Sequence, residues 1–230
     1  MRRVFRVLAL AACAALGMAG WGAEVPADAL PCTSFPLPAG THSGSGYTAI
    51  EVGPDGKVYV GTAVYGGSAH FVRLDPLKKS WDDLFNTHAV TRETGVGLDS
   101  QSKFHAKPVV DADGLIWIAT KQGNEEFTYR PEYGESRTGY PGGHLFAYNP
   151  QTGEIIDRGI LLAQEGLMGG VIDTARRRLY YVSDPKSHFL IYDIAKNTVR
   201  DLGVAAPTPR YMAMDNNARV YFVSVSPPGY

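Results

Sequence analysis

Cysteine is scarce in this chain: two among 230 residues, Cys13 and Cys32. Cys13 falls in a stretch that reads as a leader. The remainder then has no internal disulfide, and packing must hold the fold. Long apolar runs are equally few. One follows Arg2, Arg3 and Arg6, runs from Val7 to about Gly20, and ends in small residues through Ala23. It is short for a membrane span and has the layout of an export signal. Residues 1–23 are read as a signal peptide, with cleavage between about Ala19 and Ala27, and the protein as periplasmic or secreted. Leu10-Ala11-Ala12-Cys13 offers a second reading, a lipoprotein signal that would anchor the chain at Cys13.

Excess positive charge is also missing. There are 22 basic and 23 acidic residues, and three of the arginines belong to the leader. The mature chain is therefore slightly acidic. That excludes a basic stripe for nucleic acid and a polybasic membrane anchor. No P-loop, HExxH, CxxCH or GxSxG motif occurs, so P-loop, zincin, c-type haem and α/β-hydrolase readings lose support.

Glycine (26), proline (15) and tyrosine (13) are plentiful, a mix that suits strands and turns. They are arranged in a repeat. Four copies of one block start at Tyr47, His105, Met168 and Pro209: YTAIEVGPDGKVYVGT, HAKPVVDADGLIWIAT, MGGVIDTARRRLYYVS and PRYMAMDNNARVYFVS. Each is an apolar run, a turn, and an alternating strand closing on Thr or Ser. Asp55-Gly56 and Asp113-Gly114 are hairpin turns, with Arg176-Arg177 and Asn216-Asn217 as weaker versions. A second hairpin block follows the first three copies, starting at His70, His144 and His188 and turning at Asp75-Pro76, Asn149-Pro150 and Asp193-Ile194. Two hairpins make a four-stranded blade, with strands A to D from the axis outward.

The expected fold is all-β, an incomplete β-propeller of about three and a half blades. The blades are 47–104, 105–167, 168–208 and an unfinished 209–230. Residues 24–46 form an N-terminal segment in which 33–39 could lend a closing outer strand. The unclosed edge is expected to favour association. The extra loops, roughly Asn86 to Phe104 and Lys121 to Gly143, open on one face in ordinary blade geometry, where binding loops tend to sit.

The DGKVYVGT and DGLIWIAT strands, with the YNPQTGE turn, resemble streptogramin-lyase-type and gluconolactonase-like propellers from about Tyr47 to Tyr230. The resemblance implies the fold. Streptogramin-lyase-type enzymes use a histidine and acid cluster with a divalent metal on one propeller face, so a divalent metal is implied by resemblance alone. Those catalytic residues find no one-for-one match here.

His70, His144 and His188 open strand C on three different blades, too far apart to share one ion, so no metal site is assigned. Asp83, Asp157 and Asp201 recur at the end of strand D. The expected pairs are His70 with Asp83, His144 with Asp157 and His188 with Asp201, acting as blade clamps. His105 differs, because it opens strand A and faces the channel mouth. Lys107 is expected on the same side of that strand. Lys121, Gln122, Asp184, Lys186 and Arg210 leave or open inner strands on the same face. Two readings follow: a polar, solvated mouth, or a site in which His105, Lys107, Lys121 and Arg210 hold a small anionic or sugar-like ligand. The loop aromatics Phe127, Tyr129, Tyr133 and Tyr140, set among Glu125, Glu126, Arg130, Glu132 and Arg137, suit carbohydrate or peptide contact, or packing on a neighbouring blade. A lyase or hydrolase and a non-catalytic scaffold both stay open. Glu165 or Asp184 beside His105 would favour the enzyme.

Overall fold

The structure is a computed structural model that describes residues 32–44, 46–123, 139–205 and 210–223. Residues 36–230 belong to one compact unit. Residues 1–31, which include the expected leader and Cys13, and the loop residues Glu125, Glu126, Phe127, Tyr129, Arg130, Glu132, Tyr133 and Arg137 lie outside the described residues.

Blade one is a four-stranded antiparallel sheet of β1 (Gly46–Val52), β2 (Val58–Thr62), β3 (His70–Asp75) and β4 (Ser80–Asn86), in that order. Blade three repeats it with β10 (Gly166–Asp173), β11 (Arg178–Asp184), β12 (His188–Asp193) and β13 (Thr198–Val204). Blade two has β7 (Ile116–Lys121), β8 (His144–Tyr148) and β9 (Ile155–Ile160). Its innermost strand is broken into β5 (Lys103–Phe104) and β6 (Val109–Val110), both paired with β7. The two-stranded sheet of β14 (Met212–Met214) and β15 (Val220–Phe222) begins a fourth blade. The chain is thus an incomplete β-propeller of three blades and a half. Residues 33–39 carry no strand.

The A–B turns share one device. An aspartate carboxylate takes the N–H groups of the turn: Asp111 from Asp113 and Leu115, Asp173 from Arg176, Asp215 from Asn217 and Arg219. The tenth residue of each block then adopts positive φ, at Gly56, Gly114, Arg177 and Ala218. In the fourth copy the left-handed residue is thus Ala218, beyond the Asn216-Asn217 pair that the sequence suggests. The register of the aspartate sets the turn more strongly than asparagine preference does. The spare carboxylate oxygen often caps the strand-B aromatic: Asp111 accepts from Trp117 Nε1 at 2.8 Å and Asp215 from Tyr221 at 2.9 Å. In blade one Asp55 accepts from Tyr59 at 3.0 Å.

Two apolar layers join the blades. Between blades one and two, Tyr59, Phe71, Phe85 and Phe104 pack with Ile116, Ile118, Phe146 and Tyr148. Between blades two and three, Trp117, Leu145 and Leu167 pack with Leu179, Tyr181, Leu190 and Tyr192. Gly61 permits the first contact, because a Cβ there would lie 2.4 Å from Phe104 Cβ. The aromatic rings that meet across the blades do so tilted or edge to face, as Phe71 does with Tyr148 and Trp117 with Tyr192.

Candidate functional site

The break in the inner strand of blade two is centred on His105. Pro108 has no N–H to give β7, and it restrains Lys107 before it, so the ladder stops between Phe104 and Val109. The break turns His105 inward and links three blades. Its carbonyl accepts from Thr48 of β1 at 3.2 Å, and its Nδ1 lies 3.2 Å from the Met168 carbonyl of β10. A carbonyl only accepts, so Nδ1 carries the proton and Nε2 the lone pair. His105 is 4 % exposed. Burial, then the charges of Lys121, Lys103 and Arg210, push its pKa down to about 4, against the Met168 bond. The imidazole is therefore neutral at neutral pH.

The break also ends the simple alternation that would set Lys107 beside His105. Lys107 instead reaches Glu51 of β1 at 2.7 Å and stays largely exposed. Lys121, at the end of β7, lies against Gly166 and forms a buried ion pair with Asp184 at 2.7 Å. Asp184 is thus engaged by a cation. Arg210 is exposed and near enough to His105 to influence it. Glu165 is buried, and one of its oxygens accepts from Ser183 at 2.8 Å and from the Lys186 N–H at 2.9 Å.

Six buried side-chain polar atoms among the described residues have no hydrogen-bond partner, and three of them are both amide atoms of Gln122 and Oε1 of Glu165. Gln122 is fully buried and follows Lys121, while Glu165 precedes the Gly166 on which Lys121 packs. Buried groups with hydrogen-bonding capacity unspent are uncommon and costly. Glu165 stands out only weakly in the sequence, and the unspent amide of Gln122 can be seen only in the structure.

The outer strands hold a second polar set. Nδ1 of His70 lies 2.9 Å from Asp83, that of His144 2.9 Å from Asp157, and that of His188 2.7 Å from Asp201. The partners are diagonal and not directly opposed. His144 faces Ile160 while Asp157 faces Phe146, with a register shift between them. The shift is a bulge at Gly159, and Gly203 repeats it; both have positive φ and donate to the preceding aspartate. Blade one makes its shift without a glycine, at Leu84, between the Phe71–Phe85 and Val72–Asp83 pairs. His144 has a further partner, Glu93 at 2.7 Å. Glu93 follows α1 (Thr87–Thr91), a short helix capped by Asn86 in the blade-one insertion. Gln101 of the same insertion donates to Glu93 and to the Gly142 carbonyl, and accepts from Thr120 and Tyr140. Tyr140 is buried in this network rather than offered to a ligand. Burial lowers the His144 pKa, but its two carboxylates outweigh that and leave it raised.

Among the described residues no three His, Cys, Asp or Glu side chains are grouped to hold a metal ion. No helix among them is long and apolar enough to cross a membrane.

No family model and no curated protein matches the chain. Solved structures do. The extracellular domain of a protein assigned as a one component system of B. thetaiotaomicron is 14 % identical over 76 % of this chain, with a TM-score of 0.50. Kuenenia stuttgartiensis hydrazine synthase is 12 % identical over 75 %, with a TM-score of 0.51. A protein assigned as a gluconolactonase is 11 % identical over 75 %, with a TM-score of 0.50. The chain spans 20 %, 48 % and 55 % of those three structures. At such identities the likeness establishes the β-propeller fold and nothing of activity.

Proposed function

We propose that this chain is an exported propeller that binds a small polar, sugar-like or anionic ligand at the inner strand ends, around His105, Lys121 and Gln122. The observation that carries this reading is the unspent hydrogen-bonding capacity of buried Gln122 and Glu165, the residues next in sequence to Lys121 and Gly166, which pack together at the Lys121–Asp184 pair. A ligand hydroxyl or carboxylate would satisfy the amide and the cationic side chains together. A glutamine amide that both donates and accepts suits a sugar hydroxyl better than a bare inorganic anion. Neutral His105, its Nδ1–H donated to the Met168 carbonyl, is the candidate general base. A lyase or hydrolase working here would use that side chain. Lys107 lies outside this group because Glu51 engages it.

The three His–Asp pairs are assigned to structure: each ties strand C to strand D in its own blade. The exposed edge and the mutually neutralised Lys121–Asp184 pair favour a second reading, a scaffold propeller without chemistry.

Isothermal titration with gluconate, galacturonate and neutral hexoses, with and without calcium or magnesium, tests the proposal; the gluconolactonase among the fold neighbours makes aldonic acids the first choice. One of these ligands should bind, and His105→Ala or Gln122→Leu should weaken it at least tenfold, about 1.4 kcal/mol. Binding that both variants leave unchanged would move the site elsewhere.

A further inference from the structure

His144 meets a carboxylate at each ring nitrogen. Its Nδ1 lies 2.9 Å from Asp157 of β9, and its Nε2 lies 2.7 Å from Glu93 of the blade-one insertion. A neutral imidazole carries one N–H and an ionised carboxylate only accepts, so both bonds exist together only in the doubly protonated ring. His70 and His188 each bond, through Nδ1, the aspartate of their own blade and no second carboxylate. The Gly159 N–H holds Asp157 in place for that same bond, at 2.8 Å. When His144 loses one proton, Nδ1 therefore keeps Asp157, and the bond to Glu93 is the one lost.

Glu93 sits in a loop whose base is closed. Thr87 donates its N–H to the Ala69 carbonyl at 2.8 Å and its hydroxyl to the Gln101 carbonyl at 2.9 Å. Gln101 donates to the Gly142 carbonyl and accepts from Thr120 and Tyr140. Between these anchors, Glu93 reaches across to blade two. The charges that act on His144 are those of Asp157 and Glu93. From β7 the Thr120 hydroxyl accepts its backbone N–H, and Phe146 of its own strand stacks on its ring at 5.8 Å. Arg92, beside Glu93, is exposed, and His88 of α1 is half-buried.

We propose that residues 88–100 form a pH-sensitive strap. It is fastened to blade two through Glu93 while both ring nitrogens of His144 carry protons. It lets go there when Nε2 gives its proton to solvent, because a lone pair then faces the carboxylate. The base stays closed, since the Thr87 and Gln101 bonds involve no titrating group apart from Glu93 itself. Release is therefore local. Ser102 donates to the Gly123 carbonyl at 2.7 Å, one residue beyond Gln122, so the strap ends beside the ligand site. An effect on binding rests on the function proposed above.

Hydrogen exchange of the full chain tests the strap without a ligand. Protection factors remove the pH dependence of intrinsic exchange. The Arg92 N–H, bonded to the His88 carbonyl, and the Gly97 N–H, bonded to the Gly66 carbonyl, report on the strap. Their protection should fall at least roughly tenfold between about pH 6 and pH 9, while β11 stays protected at pH 9. Glu93→Gln should abolish the fall, because a glutamine amide donates to the neutral Nε2 and keeps the contact. His70→Ala should leave the fall in place. His144→Ala should show the low protection at both pH values, and if it fails to fold, the Glu93→Gln comparison decides. Strap protection that does not change with pH in the native chain would overturn the inference. So would a fall that Glu93→Gln leaves unchanged, which would assign it to another group such as His88.

Discussion

Replacing His144 with alanine should cost far more stability than the same change at His70 or His188, although the three occupy one position of the repeat. The His144 side chain is 9 % exposed and sits between Asp157 and Glu93, at 2.9 and 2.7 Å. His70 and His188 have one carboxylate each, and Asp83 and Asp201 are 44 % and 35 % exposed. Removing His144 leaves two partly buried carboxylates facing each other and unhooks the blade-one insertion from blade two. The expected loss is about 3 kcal/mol, the lower end for breaking a buried pair. The other two pairs are screened by water, and about 1 kcal/mol each is expected. Urea unfolding followed by circular dichroism reads the difference, and melting temperature should fall by about 6–12 °C for His144→Ala. Glu93→Gln should recover part of the loss in a His144→Ala background, by removing the like-charge contact. Equal losses at all three histidines would refute the argument, since burial and the second carboxylate would then count for nothing.

Other consequences follow from the same geometry. His144 titrates higher in the fold than its ordinary value, so its contribution is fully present below about pH 6.5 and lost as pH rises through the folded pKa. Stability of the native chain should fall across that window, and His144→Ala should flatten the fall. His105 runs the other way: its folded pKa of about 4 lies below the unfolded value, so its contribution is present above about pH 6.5 and lost as pH falls toward 4. That amounts to about 3 kcal/mol, which His105→Phe should remove from an acid denaturation curve. Lys121→Met should cost about 3 kcal/mol alone, and the pair Lys121→Met with Asp184→Leu should recover most of it in denaturant titrations. Gly61→Ala drives a methyl into Phe104 and should cost about 1–3 kcal/mol in the same assay.

Much of the fold is legible because its signals are local. Turn residues at fixed places in each block, Asp-Gly in the first two, mark the hairpins, and the apolar alternation beside them marks the strands. The His and Asp of each outer hairpin are visible for the same reason, since strands C and D meet around one tight turn. Their diagonal offset is not, because a bulge depends on how two strands close and leaves no mark in the blade-one sequence. Pro108 was the available signal that strand A breaks beside His105, and it bears directly on where Lys107 points. Glu93 sits in an insertion with no repeat to index it, so its reach to His144 depends on how α1 folds back. The Lys121–Asp184 pair joins two blades, and only the stacking of blades brings it together. The unspent amide of Gln122 is likewise a property of packing.

The most direct test of the ligand site is a crystal of the full chain soaked with gluconate and imaged as a difference map against the unsoaked crystal. The account predicts new density within hydrogen-bond distance of the Gln122 amide, with a ligand oxygen facing His105 Nε2. A map that is flat around Gln122 and His105, with the ligand bound on another part of the propeller, would contradict it.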